Sequence, residues 1–522
     1  MFTIATTHQT AAERRVVAYR DAALAYPTRA PFDPHLSYPE YPFDTVAPAP
    51  NTVYHAVREV LREAGLDAGR FGEPDWNPFG ELVRAGGTVF IKPNWVRHFH
   101  PTGGELFSLI THPAVLRPLL DYAFKAVGPA GRIYLMDAPL YDTDFAALAE
   151  RCQLDEFERV LRARGVPLVV ADLRSLVVKL ERGVVVERQR RATWSSEGLE
   201  FDLGAESELA ELKETLAHLY GSDYDRRWTT AHHHNGSAQR HCYRIARRVL
   251  EADLFISVPK LKTHKKTGVT LNVKNLIGIN TDKNYIPHFR IGSPARGGDE
   301  YPNTASLLHH ARRFVVRHAR EQVMGRWGER GERLAHLFMT GLLAAREKHF
   351  EQQAGHRVDA VDVFYRSVQG DAFRSGDWWG NDTCWRSALD INKILLHGTL
   401  EGALAERPTR RYFSLIDGII GGDQTGPLAP RARHEGVLLA GFDPLSVDEV
   451  ATRVMGFDPQ LIRDQRRGAA LTRYALTQSE LPIRVVSNWP AWQDAIQAGA
   501  DLGFEPHFAW QEYLCPRGRA GD

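Results

Sequence analysis

A short apolar run, Leu254 to Val258, is closed by Pro259 and followed at once by Lys260, Lys262, Thr263, His264, Lys265, Lys266 and Thr267. No other stretch constrains this chain as strongly. Five residues, four of them apolar, ended by a proline read as a buried strand. In open α/β sheets the ends of such strands are where ligands sit. Gly268 opens a second segment, in which Thr270, Asn272, Lys274 and Asn275 stand among apolar residues. Burying a lysine and two asparagines is costly unless something pairs with them, and an anionic ligand is the simplest partner. The bland alternative is a basic surface loop followed by a lysine whose stem lies on apolar surface while its head reaches water.

The same pattern recurs upstream. A strand from Thr88 to Ile91 ends in Lys92-Pro93-Asn94-Trp95. A helix then starts at Thr111-His112-Pro113, with Thr111 as the expected N-cap and Gly128 as its end. A strand from Ile133 to Met136 runs into Asp137, a helix is expected over 144–164, and a strand over 167–171 ends at Asp172. Alternation of this kind predicts an α/β fold with mostly parallel sheets flanked by helices. Helices are also expected at 52–65, at 239–251 and after Ser446 as a cap. Val184 to Val186 suggests a small antiparallel insertion. The strand Tyr412 to Ile416 ends at Asp417, and the following Gly418 to Pro427 reads as a glycine-rich loop, with Gly421 and Gly422 free to approach an anion. It matches neither the P-loop nor the dinucleotide fingerprint. The organisation expected is an N-terminal arm and helix (1–84, extended and rich in Pro and Tyr over 24–50), a first part of the α/β core (85–295), a mainly helical insertion (296–410), a second part of the core (411–480) and a C-terminal extension (481–522).

Composition narrows the function classes. A net charge of +1 across 522 residues removes the bulk electrostatic case for nucleic acid, so affinity for anions must be local. The four cysteines are far apart and form no C-x-x-C, which argues against an iron–sulfur cluster and fits a reducing compartment. No apolar run reaches the ~18 residues of a membrane span, and the first residues lack a signal pattern. The expectation is a cytoplasmic protein without a transmembrane segment, its oligomeric state open. His232 to His234 could offer metal ligands, but adjacent histidines on an irregular segment cannot all face one ion.

The motifs IKPN (91–94), TH-P (111–113), DAP (137–139), ISVPKLKTHKKTGVTLNVKNLIG (256–278), GNDTCWR (380–386), DGIIGGDQTGP (417–427) and MGFDP (455–459) together resemble the domain of unknown function 362 family over roughly residues 85–465. The GDWWGNDTCWR version is similar to the branch met in bacterial surface-polysaccharide and related biosynthetic gene clusters. Some relatives carry a ferredoxin-like segment whose cysteines are lacking here. A weaker resemblance links His264 and Lys274, ten residues apart, to the lactate racemase family. It implies a catalytic histidine, a nickel-pincer nucleotide on Lys274 and a nickel-ligating histidine, for which His288 is the candidate at a slightly different spacing. The two glycines before that lysine are replaced here by Asn272 and Val273, which counts against the attachment.

By role, Lys92, Lys260, Lys262 and Lys274 can offset carboxylate or phosphate charge. Asn94, Thr270, Asn272 and Asn275 can orient hydroxyl or carbonyl groups. His264 is the leading acid/base candidate, with an ordinary pKa of about 6.5 that neighbouring lysines would depress. His112, at a helix start, is a second. Lys274 and Asp417 complete the candidate catalytic set, while His264, His288 and Asp423 are candidate ligands for a divalent metal. These residues support an enzyme that moves a proton or a group on a small anionic metabolite, a hydroxy acid or a phosphorylated or nucleotide sugar. The alternatives are a non-catalytic binding or assembly module, and a metal-dependent enzyme akin to the racemases.

Overall fold

The run at 254 is a central strand, and the alternation of its side chains explains the layers on either side. The structure, a computed structural model, describes residues 13–181, 184–212, 219–221, 226–235, 239–305 and 375–515, with Trp327 and Gly331. In chain order the strands are β1 (Arg14–Arg20), β2 (Thr88–Pro93), β3 (Arg132–Asp137), β4 (Leu168–Asp172), β5 (Leu176–Glu181), β6 (Val184–Arg190), β7 (Gly198–Asp202), β8 (Leu219–Tyr220), β9 (His233–Asn235), β10 (Gln239–Ala246), β11 (Leu254–Val258), β12 (Lys260–His264), β13 (Gly268–Val269), β14 (Phe289–Arg290), β15 (Arg411–Asp423), β16 (Arg431–Gly441) and β17 (Ile483–Ser487). The main helices are α1 (Thr52–Glu63), α2 (Pro113–Val127), α3 (Phe145–Arg151), α4 (Leu154–Ala163), α5 (Arg226–His232), α6 (Arg247–Leu250), α7 (Leu271–Asn275), α8 (Cys384–His397) and α9 (Pro444–Met455).

Among the described residues one ten-stranded sheet dominates, ordered β17-β1-β16-β15-β11-β2-β3-β4, with β12 pairing β15 and β13. The stretch from β15 through β11, β2 and β3 to β4 is parallel, as βαβ units require, and β16 runs antiparallel between β15 and β1. Alternate residues point to opposite faces. Val89, Ile91 and Ile256 therefore share one cluster with Val53, Val57, Leu116 and Leu120 of α1 and α2. Phe90, Phe255 and Tyr412 join Trp385 and Leu389 of α8 in another. Their rings stack across the strands, Phe90 on Phe255 at 5.6 Å and Phe255 on Tyr412 at 6.0 Å.

Several local expectations give way to better competitors. Residues 239–246 form β10 instead of a helix. His241, Cys242, Tyr243, Ile245 and Ala246 are all fully buried, so burial alone does not mark the period, and pairing with β7 and β9 fixes the strand. The helix expected over 144–164 breaks into α3 and α4 at Gln153, whose φ of 53° leaves the helical region. The caps shift by a residue or more. His112 caps α2, accepting from Ala114 N at 3.0 Å, while Thr111 Oγ1 donates to Val258 O at 2.7 Å. Asp443, not Ser446, caps α9. At α8, Thr383 holds the N-cap position but its side chain makes no capping bond, and Asn381 Oδ1 accepts from Cys384 N at 2.9 Å.

The assumed boundaries shift too. Residues 14–20 and 483–487, read as parts of an arm and an extension, are paired strands of the main sheet. The antiparallel hairpin around 184 is present as β5 and β6. Apart from Trp327 and Gly331, residues 306–374, the heart of the expected helical insertion, lie outside the described residues.

Candidate functional site

The chain order reverses between β2 and β11: β2 leads outward through β3 to β4, and β11 leads the other way to β15. Ligands in open α/β sheets bind beyond the strand ends at such a switch point. Here the strand ends converge. Lys92, next to last in β2, places Nζ 2.8 Å from Asp137 Oδ1 at the end of β3. It also donates to Asn275 Oδ1 at 3.0 Å and to Pro93 O at 2.7 Å. Asn275 Oδ1 accepts a second bond from Asn94 Nδ2, at 3.0 Å. Asn94 Oδ1 accepts from Lys262 Nζ at 2.9 Å, and Lys262 also donates to Leu109 O at 2.6 Å. One buried chain, Asp137–Lys92–Asn275–Asn94–Lys262, thus ties β3, β2, α7 and β12 together. Gly278 lies against it. A Cβ there would stand 2.1 Å from Asp137 Oδ1 and 2.6 Å from Lys92 Nζ, so only glycine fits.

The charges do not balance inside this cluster. Lys262 is fully buried and forms no carboxylate pair among the described residues. Burial first, and then the charge of Lys260, hold its pKa well below the ordinary lysine value. Lys274, on α7, is also buried, with no hydrogen bond or ion pair among the described residues. Sequence reasoning did not single out Lys283, which donates to Ile277 O at 3.1 Å. Burial, only partly offset by Asp137, pushes its pKa to about 7. It lies eight residues beyond Asn275, outside the stretches whose polar residues stood out.

Two histidines face the same lysines. His264, closing β12, accepts at Nδ1 from the backbone N–H groups of Lys266, at 3.0 Å, and Thr267, at 3.3 Å. That leaves its proton on Nε2. His288 does the reverse: its Nδ1–H donates to Ile286 O at 2.9 Å, which leaves a lone pair on Nε2. Burial first, then the charges of Lys274 and Lys266, hold both well below the ordinary histidine pKa, so both rings are neutral. The site therefore contains one ring able to donate at Nε2 and one able to accept. Asp464, also unforeseen, is buried with Oδ1 unpartnered. Burial raises its pKa to about 7, against the opposing charge of Lys274.

Other sequence candidates are bound up in the framework. Asp417 accepts from Lys260 and His112 N at 3.0 Å each, from Tyr26 Oη at 2.5 Å and from Ile419 N at 3.3 Å. Lys260 donates to the same tyrosine at 2.8 Å. The Tyr26 ring stacks on His112 at 4.1 Å, and His112 itself is spent as the α2 cap. These four residues form a closed knot beside the switch point.

Asn272 receives hydrogen bonds from Tyr412 and Ser414 and donates to Asp448, fixing the start of α7. Thr270 Oγ1 is buried without a partner. Gly421 and Gly422 do not lie in a loop: they pair with Arg433 and Ala432 inside the β15–β16 ladder. A Cβ at Gly421 would meet Phe504 at 2.9 Å, and one at Gly422 would meet Pro430 at 2.7 Å, so these glycines serve close packing rather than anion approach.

The metal set read from the sequence does not assemble. Asp423 is consumed by Arg431, at 2.9 and 2.7 Å, and by Arg433 at 3.4 Å. His264 presents a hydrogen at Nε2 where a metal needs a lone pair, so His288 alone remains of the three. Among the described residues no group of three or more His, Cys, Asp or Glu side chains is placed to hold a metal. Asn272, pinned as above, and the buried Val273 fill the positions where the racemase family carries glycines.

The family model for a domain of unknown function, DUF362, matches residues 167–453. No curated protein and no solved structure matches the chain.

Proposed function

Because the chain belongs to the DUF362 family, a domain without an assigned activity, we propose its function from the chemistry of the switch-point site. The reading is an enzyme that binds a small anionic metabolite, a hydroxy acid or a phosphorylated sugar, and moves a proton on it. The observation that carries it is the pairing of carboxylate-free buried lysines, Lys262 and Lys274, with two neutral histidines of opposite tautomer. Uncompensated buried ammonium groups are expensive, and a carboxylate or phosphate supplies the missing charge.

In this reading Lys262, Lys274 and Lys283 hold the anion. His288 Nε2 accepts the proton and becomes an imidazolium, which the neighbouring lysine charges make ready to give it back. His264 Nε2–H donates to the substrate oxygen on which charge develops, a role that a neutral imidazole can fill. Lys92, Asn94 and Asn275 hold the lysines in place.

Exchange in D2O tests this. Wild-type protein is incubated with a panel of 2-hydroxy acids and hexose phosphates, and loss of a carbon-bound proton signal is followed by NMR. One class of panel member exchanges, and His288→Gln abolishes the exchange while leaving binding within a few-fold. Binding without exchange in any panel member would replace the enzyme with a binding module.

A further inference from the structure

The loop that follows the undescribed segment is anchored at both ends on the two histidine-bearing stretches. At one end Asp377 forms ion pairs with Lys265 at 2.7 Å and Lys266 at 2.6 Å, the residues directly after His264. At the other, Asn381 Nδ2 donates to His288 O at 2.9 Å. Between these anchors stand two tryptophans with different fates. Trp378 is buried and donates from Nε1 to Asp299 O at 2.9 Å. Gly380 lets the chain turn over it, since a Cβ there would lie 2.1 Å from the Trp378 ring. Trp379, at the apex, remains 36% exposed. Its ring lies parallel to that of Tyr513, at 4.8 Å and 2°. The same C-terminal segment closes on the basic stretch through Trp510 Nε1, which donates to Lys265 O at 2.7 Å.

An indole backed by a tyrosine, partly exposed and carried on the loop that ion-pairs with Lys265 and Lys266 is suited to a ligand with an anionic end and a ring. We propose that Trp379 is a stacking platform for the ring of a hexose phosphate whose phosphate enters the lysine site. This rests on the anion-binding reading above and adds a substrate class to it. Electropositive C–H groups on one face of a pyranose would meet the negative face of the indole.

Calorimetric titration of the full chain with inorganic phosphate and with glucose 1-phosphate separates the two claims. Wild type binds glucose 1-phosphate about tenfold tighter than phosphate, the scale of one good ring contact. Trp379→Ala removes that advantage, Trp379→Tyr restores most of it, and phosphate affinity is unchanged in both. Unchanged phosphate binding also shows that the variants are folded. Equal affinity of wild type for the two ligands, or an advantage that survives in Trp379→Ala, overturns the platform while leaving the anion site standing. Failure of phosphate to bind wild type at all, with Lys262→Met indistinguishable from it, overturns the anion site and the platform with it.

Discussion

Lys260 and Lys262 lie two residues apart on β12, both fully buried, and the account predicts opposite consequences for removing them. Lys260 faces Asp417 at 3.0 Å. Lys260→Met leaves that carboxylate buried without its cation, and breaking one partner of a buried pair costs about 3–5 kcal/mol. Lys262 has no carboxylate. Lys262→Met leaves Asn94 Oδ1 and Leu109 O short of a donor, at about 1–3 kcal/mol each. It also removes an amine whose burial is itself unfavourable by several kcal/mol. The two nearly offset, so the net change in stability stays within about 2 kcal/mol. Anion binding responds the other way. Loss of a buried charge-assisted contact weakens sulfate affinity about 100-fold in Lys262→Met. Urea unfolding and calorimetric titration with sulfate read both quantities. A Lys262→Met protein as unstable as Lys260→Met, with wild-type sulfate affinity, would make Lys262 a framework residue and not an anion ligand.

Gly278→Ala forces a Cβ to 2.1 Å from Asp137 Oδ1; it should destabilise by about 3 kcal/mol and weaken sulfate binding, and urea midpoints unchanged from wild type would count against the close approach. Lys283 holds its proton less tightly folded, with a pKa of about 7, than unfolded, where lysine titrates near ~10.4. Between these values the unfolded chain binds more protons, so stability rises with pH across that window. Lys283→Met should flatten the rise by about 1.4 kcal/mol per pH unit, and an unaltered slope in unfolding measured from pH 7 to 10 would rule the residue out as its source. The histidines act the same way lower down. His288 is depressed well below the ordinary value, so stability falls as pH drops below about 6.5, and His288→Gln should lessen that loss in acid titrations followed by circular dichroism.

Much of the site was legible because strand ends announce themselves. The apolar runs at 88 and 254 each deliver polar residues at once, and Lys92, Asn94, Lys262 and Asn275 do meet in one hydrogen-bonded chain. Partnership was not legible. Nothing local says that Asp417 would be taken by Lys260 and by Tyr26, 391 residues away in sequence. Nor does it say that Asp423 would be taken by two arginines of the next strand. The glycines at 421 and 422 look the same in sequence whether they free a loop or let a strand pack against Phe504 and Pro430. Tautomers were hidden too, since the roles of His264 and His288 depend on which backbone group reaches Nδ1. For 239–246 the local pattern marked no single period, and the tertiary pairing with β7 and β9 made it a strand.

If buried lysines at the switch point await an anion, their protons report its arrival. Lys262 and Lys283 both sit below the ordinary lysine pKa in the free protein, and a bound anion restores their charged forms. Sulfate does not itself titrate near pH 8, so its calorimetric titration there, repeated in two buffers of different ionisation enthalpy, counts the protons taken up. Net uptake of up to about two protons per sulfate is expected, lost when Lys262 and Lys283 are both replaced by methionine. Sulfate binding with no proton uptake, or uptake that persists in the double variant, would contradict it.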